Sequence, residues 1–255
     1  MAKFRLVHGD CVPVLAGLPR QRVAIISDPP YGINLQTDYK ANKRGKLAQS
    51  NDFAPIVGDD KPFDPSHMLG FETVVLFGAN NFASKLPDTT GWIVWDKRDG
   101  MTSNDQSDCE IAWTNRNRAA RLFRHRWNGM IKDSEKTQRR LHPAQKPVAL
   151  FRWVITLLEI PSDVLIVDPY MGSGACGVAA GELGYDFLGC EIVEQYFKVA
   201  SKRVTAAFAQ QGMFNQSAPN NRLHWTVGES PDLPSFSTLE GFTAPEADTT
   251  PPASQ

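Results

Sequence analysis

The chain has 255 residues, with 27 Lys and Arg against 28 Asp and Glu and a formal charge of −1. At 42% apolar residues it can bury a full core, as one large domain or two small ones. Near-neutrality excludes a global attraction to nucleic acid or membrane, so any such affinity has to come from a local patch.

The opening "MAKFRLVHGD" has no apolar signal core, and no stretch approaches the length of a membrane span. The next run, "RVAIIS", reads as a buried strand that stops abruptly at "SDPPYGIN". Two successive prolines remove two backbone donors and restrict two φ angles, and the preceding Asp28 is pushed towards extended backbone. The result is a stiff corner holding one carboxylate, two free carbonyls and one aromatic ring, more rigidity than a connection requires. A basic loop, "KANKRGK" (40–46), follows.

"TVVLFGA" from Thr73 and "WIVW" from Trp92 are further strands, and Asn80 and Asn81 in "FGANNF" make a turn at a strand end. "CEIAWT" and "ARLFRHRW" read as a hairpin joined by "NRNR" at one edge of the sheet, although the second run is also compatible with a basic helix. Arg116, Arg118, Arg121, Arg124 and Arg126 crowd this stretch, with Lys132, Lys136, Arg139, Arg140 and Lys146 after it and only Asp133 and Glu135 opposing them. Such a segment in a neutral chain is a candidate phosphate-binding surface.

"ALFRWVITLLEI" from Ala149 and "GVAAGELG" from Gly177 are helix-compatible, and "DVLIVD", ending at Asp168, is a strand between them. Strands alternating with helices predict an α/β domain with a mainly parallel sheet. After Asp168 comes "DPYMGSGACGVAA", in which Gly172, Gly174 and Gly177 match G-x-G-x-x-G between a strand and a helix. Glu191 ends the next predicted strand, "DFLGCE". Asp168 and Pro169 precede the glycines where a dinucleotide fold runs straight into them, and a carboxylate there repels a pyrophosphate and attracts a cation. S-adenosylmethionine, with its ammonium, sulfonium and ribose hydroxyls suited to Glu191, fits this crevice better than NAD. The alternative is that Asp168 merely caps the following turn. Four scattered cysteines without a C-x-x-C pair argue against a metal site or disulfide framework, and Cys176 and Cys190 read as small buried residues. From about Gln210 the composition turns polar, and "TAPEADTTPPASQ" cannot offset its ordering entropy.

"DPPY" followed by "DPYMGSG" resembles the permuted, β-class amino DNA methyltransferases, enzymes that methylate exocyclic nitrogens of adenine or cytosine. "LHPAQKPVAL" (141–150) resembles their H-P-x-x-K-P segment and "HGDCVPVLAGLP" their G-D-x-x-x-x-L lead-in, so the resemblance covers about residues 5–205. It implies a Rossmann-like S-adenosylmethionine-dependent fold over 1–208 with a short target-recognition region at about 96–140, and the polar composition beyond it predicts a disordered tail over 209–255. It implies that Asp28 and the Pro29 carbonyl accept the N–H groups of a target amine on a flipped base. Pro30 stiffens the corner and Tyr31 stacks on the base. The cofactor would contact Asp10, Cys11, Asp28, His142, Lys146, Pro147, Asp168, Pro169, Tyr170, Gly172, Ser173, Gly174 and Glu191. Double-stranded DNA would contact Lys43, Arg44, Arg116, Arg118, Arg121, Arg124, Arg126, Arg139 and Arg140. Tyr170 stands where Phe is usual and Ala175 where Thr is frequent. D-P-P-Y favours adenine N6, with cytosine N4 and a non-catalytic DNA-binding relative as alternatives. The expected setting is the cytoplasm of a bacterial or phage-infected cell, as monomer or homodimer, without metal or membrane. A protein-glutamine methyltransferase is disfavoured because its corner begins with Asn and follows the glycine loop. An NAD-dependent oxidoreductase is disfavoured by Asp168 and Pro169.

Overall fold

Short β-branched runs form the strands expected of them. The computed structural model describes residues 2–37, 53–101, 107–128 and 131–214, all within the first of the two units into which the chain divides, Met1–Arg222. Strand β1 (Phe4–His8) leads through helix α1 (Cys11–Ala16) to β2 (Val23–Ser27), and β3 (Thr73–Phe77) follows. Next come β4 (Trp92–Asp96), β5 (Cys109–Thr114), β6 (Arg121–Arg124) and the two-residue partners β7 (Trp127–Asn128) and β8 (Ile131–Lys132). The remainder is α2 (Val148–Leu157), β9 (Leu165–Asp168), α3 (Ala175–Leu183), β10 (Phe187–Glu191) and α4 (Glu194–Phe214).

One eight-stranded sheet has the order β1-β10-β9-β2-β3-β5-β4-β6, and the first five strands are mutually parallel. Strands β2 and β3 are buried at every position, as expected of parallel strands covered on both faces. Alternation splits their side chains. Ala24, Ile26, Val75 and Phe77 pack under α2, α3 and α4, while Ile25, Val74 and Leu76 meet Leu15 of α1 and Met68 of a short 3₁₀ turn.

The antiparallel part of the sheet differs from the sequence reading. "CEIAWT" and the run after it do not form a hairpin together. Strand β5 is antiparallel to both β3 and β4, whereas β6 lies on the far side of β4 and runs parallel to it. Trp113 and Ala112 of β5 are buried, so β5 takes a central position, while exposed Arg121 and Arg124 place β6 at the edge. Strand β1 and helix α4 carried no sequence assignment. Helix α4 continues to Phe214, six residues beyond the predicted end of the domain, and the rest of the proposed tail lies outside the described residues.

The chain leaves β2 towards β3 on one side, whereas β9, β10 and β1 lie on the other. The boundary between β2 and β9 is therefore a topological switch point, where loops at the carboxyl ends diverge and open a crevice. Asp28 follows β2 directly and Asp168 ends β9.

Candidate active site

A cleft of about 1120 Å³ opens at this switch point. Its walls include the whole Asp28-Pro29-Pro30-Tyr31 corner, Asp168 to Ser173, and Glu191. Ser27 Oγ donates to Asp168 Oδ1 at 2.6 Å, linking the two pieces across 141 residues of sequence.

The corner is held from behind by a residue without sequence signature. Asp59, 4% exposed, accepts backbone N–H bonds from Tyr31 (2.9 Å), Gly32 (2.9 Å) and Leu35 (2.7 Å). The diproline cannot donate, so the turn after it is organised by this one carboxylate. Tyr31 donates its hydroxyl to Asp28 Oδ1 at 2.6 Å. Its ring packs on Gly78, whose φ is +68°, and a Cβ there would lie 1.9 Å from Tyr31 Cε1. Gly78 therefore satisfies both a left-handed turn and a close approach.

Lys146, expected beside the cofactor, instead enters the corner. Its ammonium pairs with Asp28 and with Glu110 Oε2 (3.0 Å) and reaches Tyr31 Oη (2.9 Å), with 5% of its side chain exposed. Burial opposes the Lys146 charge, but the Asp28 and Glu110 carboxylates prevail and raise its pKa. Burial raises the Asp28 carboxyl, with Lys146 pulling the other way. Burial also works against Glu110, yet Lys146 and Lys97 hold it down to about 2. Lys97 reaches Glu110 Oε1 at 3.1 Å, so the cluster carries two acids and two bases.

The glycine loop forms the opposite wall. Glu191 accepts from the Gly172 N–H (3.0 Å) and Val193 N–H (2.8 Å), so this carboxylate, expected on a ribose, also shapes the loop it faces. His142 stands edge-on to Tyr196 at 4.3 Å, and its Nε2 would lie 3.4 Å from a Cβ at Gly172. Burial, then Lys146 and Arg140, lower its pKa to about 3. His142 is thereby held neutral, and it lines the cleft. Asp168, 2% exposed, accepts from Ser27 and from the Tyr170 N–H, and no Lys or Arg pairs with it among the described residues. Burial pushes its carboxyl up to about 7. The Tyr170 hydroxyl finds His67 Nε2 at 2.9 Å, which gives the tyrosine a polar partner that a phenylalanine would not need.

The other expected cofactor residues divide. Asp10, Cys11, Pro169 and Ser173 line the cleft. Asp10 also caps α1 through the Val12 N–H, and burial raises the Cys11 thiol to about 11. Pro147 and Gly174 do not line it; they precede α2 and α3 as their caps. Pro147 has no side-chain acceptor for the new helix, and Glu135 Oε2 takes the Val148 N–H instead at 3.1 Å.

The structure does not gather the expected DNA-contacting arginines. Thr114 is in register with Val75, so Arg116 and Arg118 leave β5 at the end of the sheet away from the cleft. Arg118 donates to the Leu157 carbonyl at 2.7 Å, which ties it into the fold. Arg121 is exposed on the edge strand, level with Ile93. Arg124 pairs with Asp96 (3.8 Å) and Arg126 with Asp133 (2.8 Å). Arg139 is exposed outside the cleft, whereas Arg140 lines it. Lys43 and Arg44 lie outside the described residues. Lys61 and Lys97, neither of them part of the basic segment, line the cleft with Lys132 and Arg140, which are. Among the described residues no group of three or more His, Cys, Asp and Glu is placed to hold a metal, and no helix is long and apolar enough to cross a membrane.

Sequence reasoning missed Asp59, Glu110 and Gly78. The acids sit in ordinary-looking stretches, and only the "FG" ending β3 hinted at the glycine turn.

Comparison with known proteins follows the same lines. Two curated relatives match one segment each: a type II methyltransferase M2.DpnII of Streptococcus pneumoniae, 36% identical over 80 residues, and M2.LlaDCHI of Lactococcus lactis subsp. cremoris, 39% identical over 79. Each match covers 31% of this chain and 30% or 29% of the relative, so less than a third of either relative is spanned. The solved PvuII DNA methyltransferase, described as cytosine-N4-specific, shares the fold with a TM-score of 0.50 at 13% identity, over 83% of this chain and 93% of that one. The N6/N4 methyltransferase family model, described as DNA methylase, matches residues 71–202, just over half of the chain, from β3 into α4. The chain belongs to the N6/N4 DNA methylase family.

Proposed function

We propose that this protein transfers a methyl group from S-adenosylmethionine to the exocyclic N6 amine of an adenine flipped out of double-stranded DNA. The observation that carries this reading is the meeting of Asp28 and Asp168 in one cleft through Ser27. Asp168 is a buried carboxylate without a cationic partner among the described residues, which suits a ligand bearing ammonium and sulfonium charges. Asp10, Glu191 and the Gly172 loop would complete that side, with Tyr170 as an aromatic wall. When bound, the cofactor supplies an electrophilic methyl whose C–S bond breaks as the N–C bond forms, the electron pair leaving on sulfur.

An exocyclic amine is a poor nucleophile because its lone pair is delocalised into the ring. Asp28 and the Pro29 carbonyl accept its two N–H groups and turn the lone pair towards the cofactor side of the cleft. Their rigidity comes from the diproline, Asp59 and Gly78, which is preorganisation supplied before the substrate arrives. The proton shed by the methylated nitrogen leaves through Asp28. Tyr31 provides the stacking surface. Flipping costs a few kcal/mol of unpairing, so a basic rim is needed to hold the duplex. Lys61, Lys132 and Arg140 at the cleft supply that rim better than Arg116 or Arg118 at the far edge. The catalytic domain would take in the chain through the end of α4 at Phe214, with about residues 96–140 as its target-recognition region. Asp at the head of the corner is the feature that favours adenine over cytosine N4.

Incubating the protein and S-adenosylmethionine with unmethylated plasmid DNA, followed by nucleoside mass spectrometry, tests the reading. N6-methyladenine is expected; N4-methylcytosine would replace the base assignment, and no methylated nucleoside would refute the activity.

A further inference from the structure

The corner that is to receive an amine already holds two donors. Asp28 Oδ1 takes the Tyr31 hydroxyl and Oδ2 takes the Lys146 ammonium. A charge-assisted bond is roughly twice as strong as a neutral one, so an incoming amine N–H does not displace the ammonium from Asp28 unaided. Both donors have a second acceptor in reach, and it is the same one. Glu110 Oε2 lies 3.0 Å from Lys146 Nζ and 3.3 Å from Tyr31 Oη. Glu110 is presented by β5 in register with Trp95, and its other oxygen is anchored by Lys97 at 3.1 Å. It lines the cleft beside Asp28.

We propose that Glu110 is a positioning residue of the amine pocket, the reserve acceptor that draws Lys146 and the Tyr31 hydroxyl off Asp28 when a target amine docks. The inference rests on the reading of Asp28 as the amine acceptor. Before docking, Lys146 occupies the seat of the amine and favours the ionised form of Asp28. On docking, the ammonium keeps its proton and shifts its hydrogen bonds onto Glu110, and Asp28 turns both lone-pair directions to the base. Lys97 makes the exchange affordable by holding Glu110 in place from the other side. No covalent bond changes in this step.

The test is a double-mutant cycle on Glu110→Gln and Lys146→Met, read as labelled methyl transfer onto unmethylated plasmid DNA. Glu110→Gln is expected to lose roughly 10- to 100-fold in kcat, the value of a hydrogen bond to a charged group, with cofactor affinity by equilibrium dialysis unchanged. Glu110→Asp, which keeps the charge, is expected to regain activity over Glu110→Gln. Because Glu110 acts through Lys146, Glu110→Gln is expected to cost little further once Lys146 is gone, so the two losses do not multiply and the double variant resembles Lys146→Met alone. Multiplying losses, or Glu110→Gln turning over like the wild type, would overturn the proposal. A wild-type protein that methylates no DNA would instead remove the reading beneath it.

Discussion

Ser27 hands its hydroxyl hydrogen to Asp168 across a 2.6 Å bond, both side chains fully buried, at the boundary between β2 and β9. Through this bond the residue before the acidic diproline corner touches the residue before the glycine loop. The two chemical halves of the cleft are therefore joined directly on neighbouring strands, with Asp28 and Asp168 both in its lining.

Asp168 makes the assembly sensitive to pH. Burial pushes its carboxyl up from the ordinary 3.8 to about 7, so the folded state holds an extra proton between these limits. Its contribution to stability is fully present below 3.8 and is lost as pH rises through about 7. A cationic cofactor needs the ionised form. Affinity for S-adenosylmethionine is expected to rise with pH towards 7, by up to about tenfold per unit, and to level off above it. Asp168→Asn is expected to weaken binding and flatten this dependence, as measured by equilibrium dialysis across pH 5.5–8.5.

Gly78→Ala tests the seat of Tyr31. The added methyl would stand 1.9 Å from the ring at a φ of +68°, so the ring has to move. A displacement of about 1 Å at a catalytic group costs on the order of 100-fold, and a loss of that size in kcat is expected with cofactor affinity retained.

Asp59→Ala is a stability prediction. It strips the acceptor from four backbone N–H groups behind the corner, those of Tyr31, Gly32, Ile33 and Leu35, and because these are only partly buried the loss is about 1–3 kcal/mol in all. Urea unfolding is expected to show a lower midpoint at unchanged slope, together with reduced turnover.

How far the site was legible in the sequence depends on how local its signals are. "VAIIS", "TVVLF" and "LIVD" announced buried strands because β-branched runs have few other uses. The D-P-P-Y corner and glycine loop were legible because their residue types are constrained by backbone geometry. Lys146 was visible as part of "HPAQKP", but its partner was not, since the pairing with Asp28 and Glu110 joins three segments by tertiary packing. Asp59 and Glu110 carry no local pattern at all. The basic stretch divides in space, because charge density along the chain is not charge density in the fold: Lys132, Arg140 and Lys146 line the cleft. Arg116 and Arg118 emerge at the opposite end of the sheet from the cleft, owing to the antiparallel course of β5.

That last point is itself measurable. Lys132→Ala and Arg140→Ala are each expected to weaken DNA binding and to reduce the slope of log affinity against log salt by about 0.9. Arg116→Ala is expected to leave both unchanged. Fluorescence anisotropy of a labelled duplex at several salt concentrations reads both quantities.

The central claim is a division of labour, in which Asp28 orients the acceptor amine while the cofactor is held elsewhere. Its most direct test is Asp28→Ala, measured for labelled methyl transfer to DNA and for S-adenosylmethionine binding in parallel. The account predicts a loss of about 100- to 1000-fold in turnover with cofactor affinity largely intact. Transfer at the wild-type rate would contradict it.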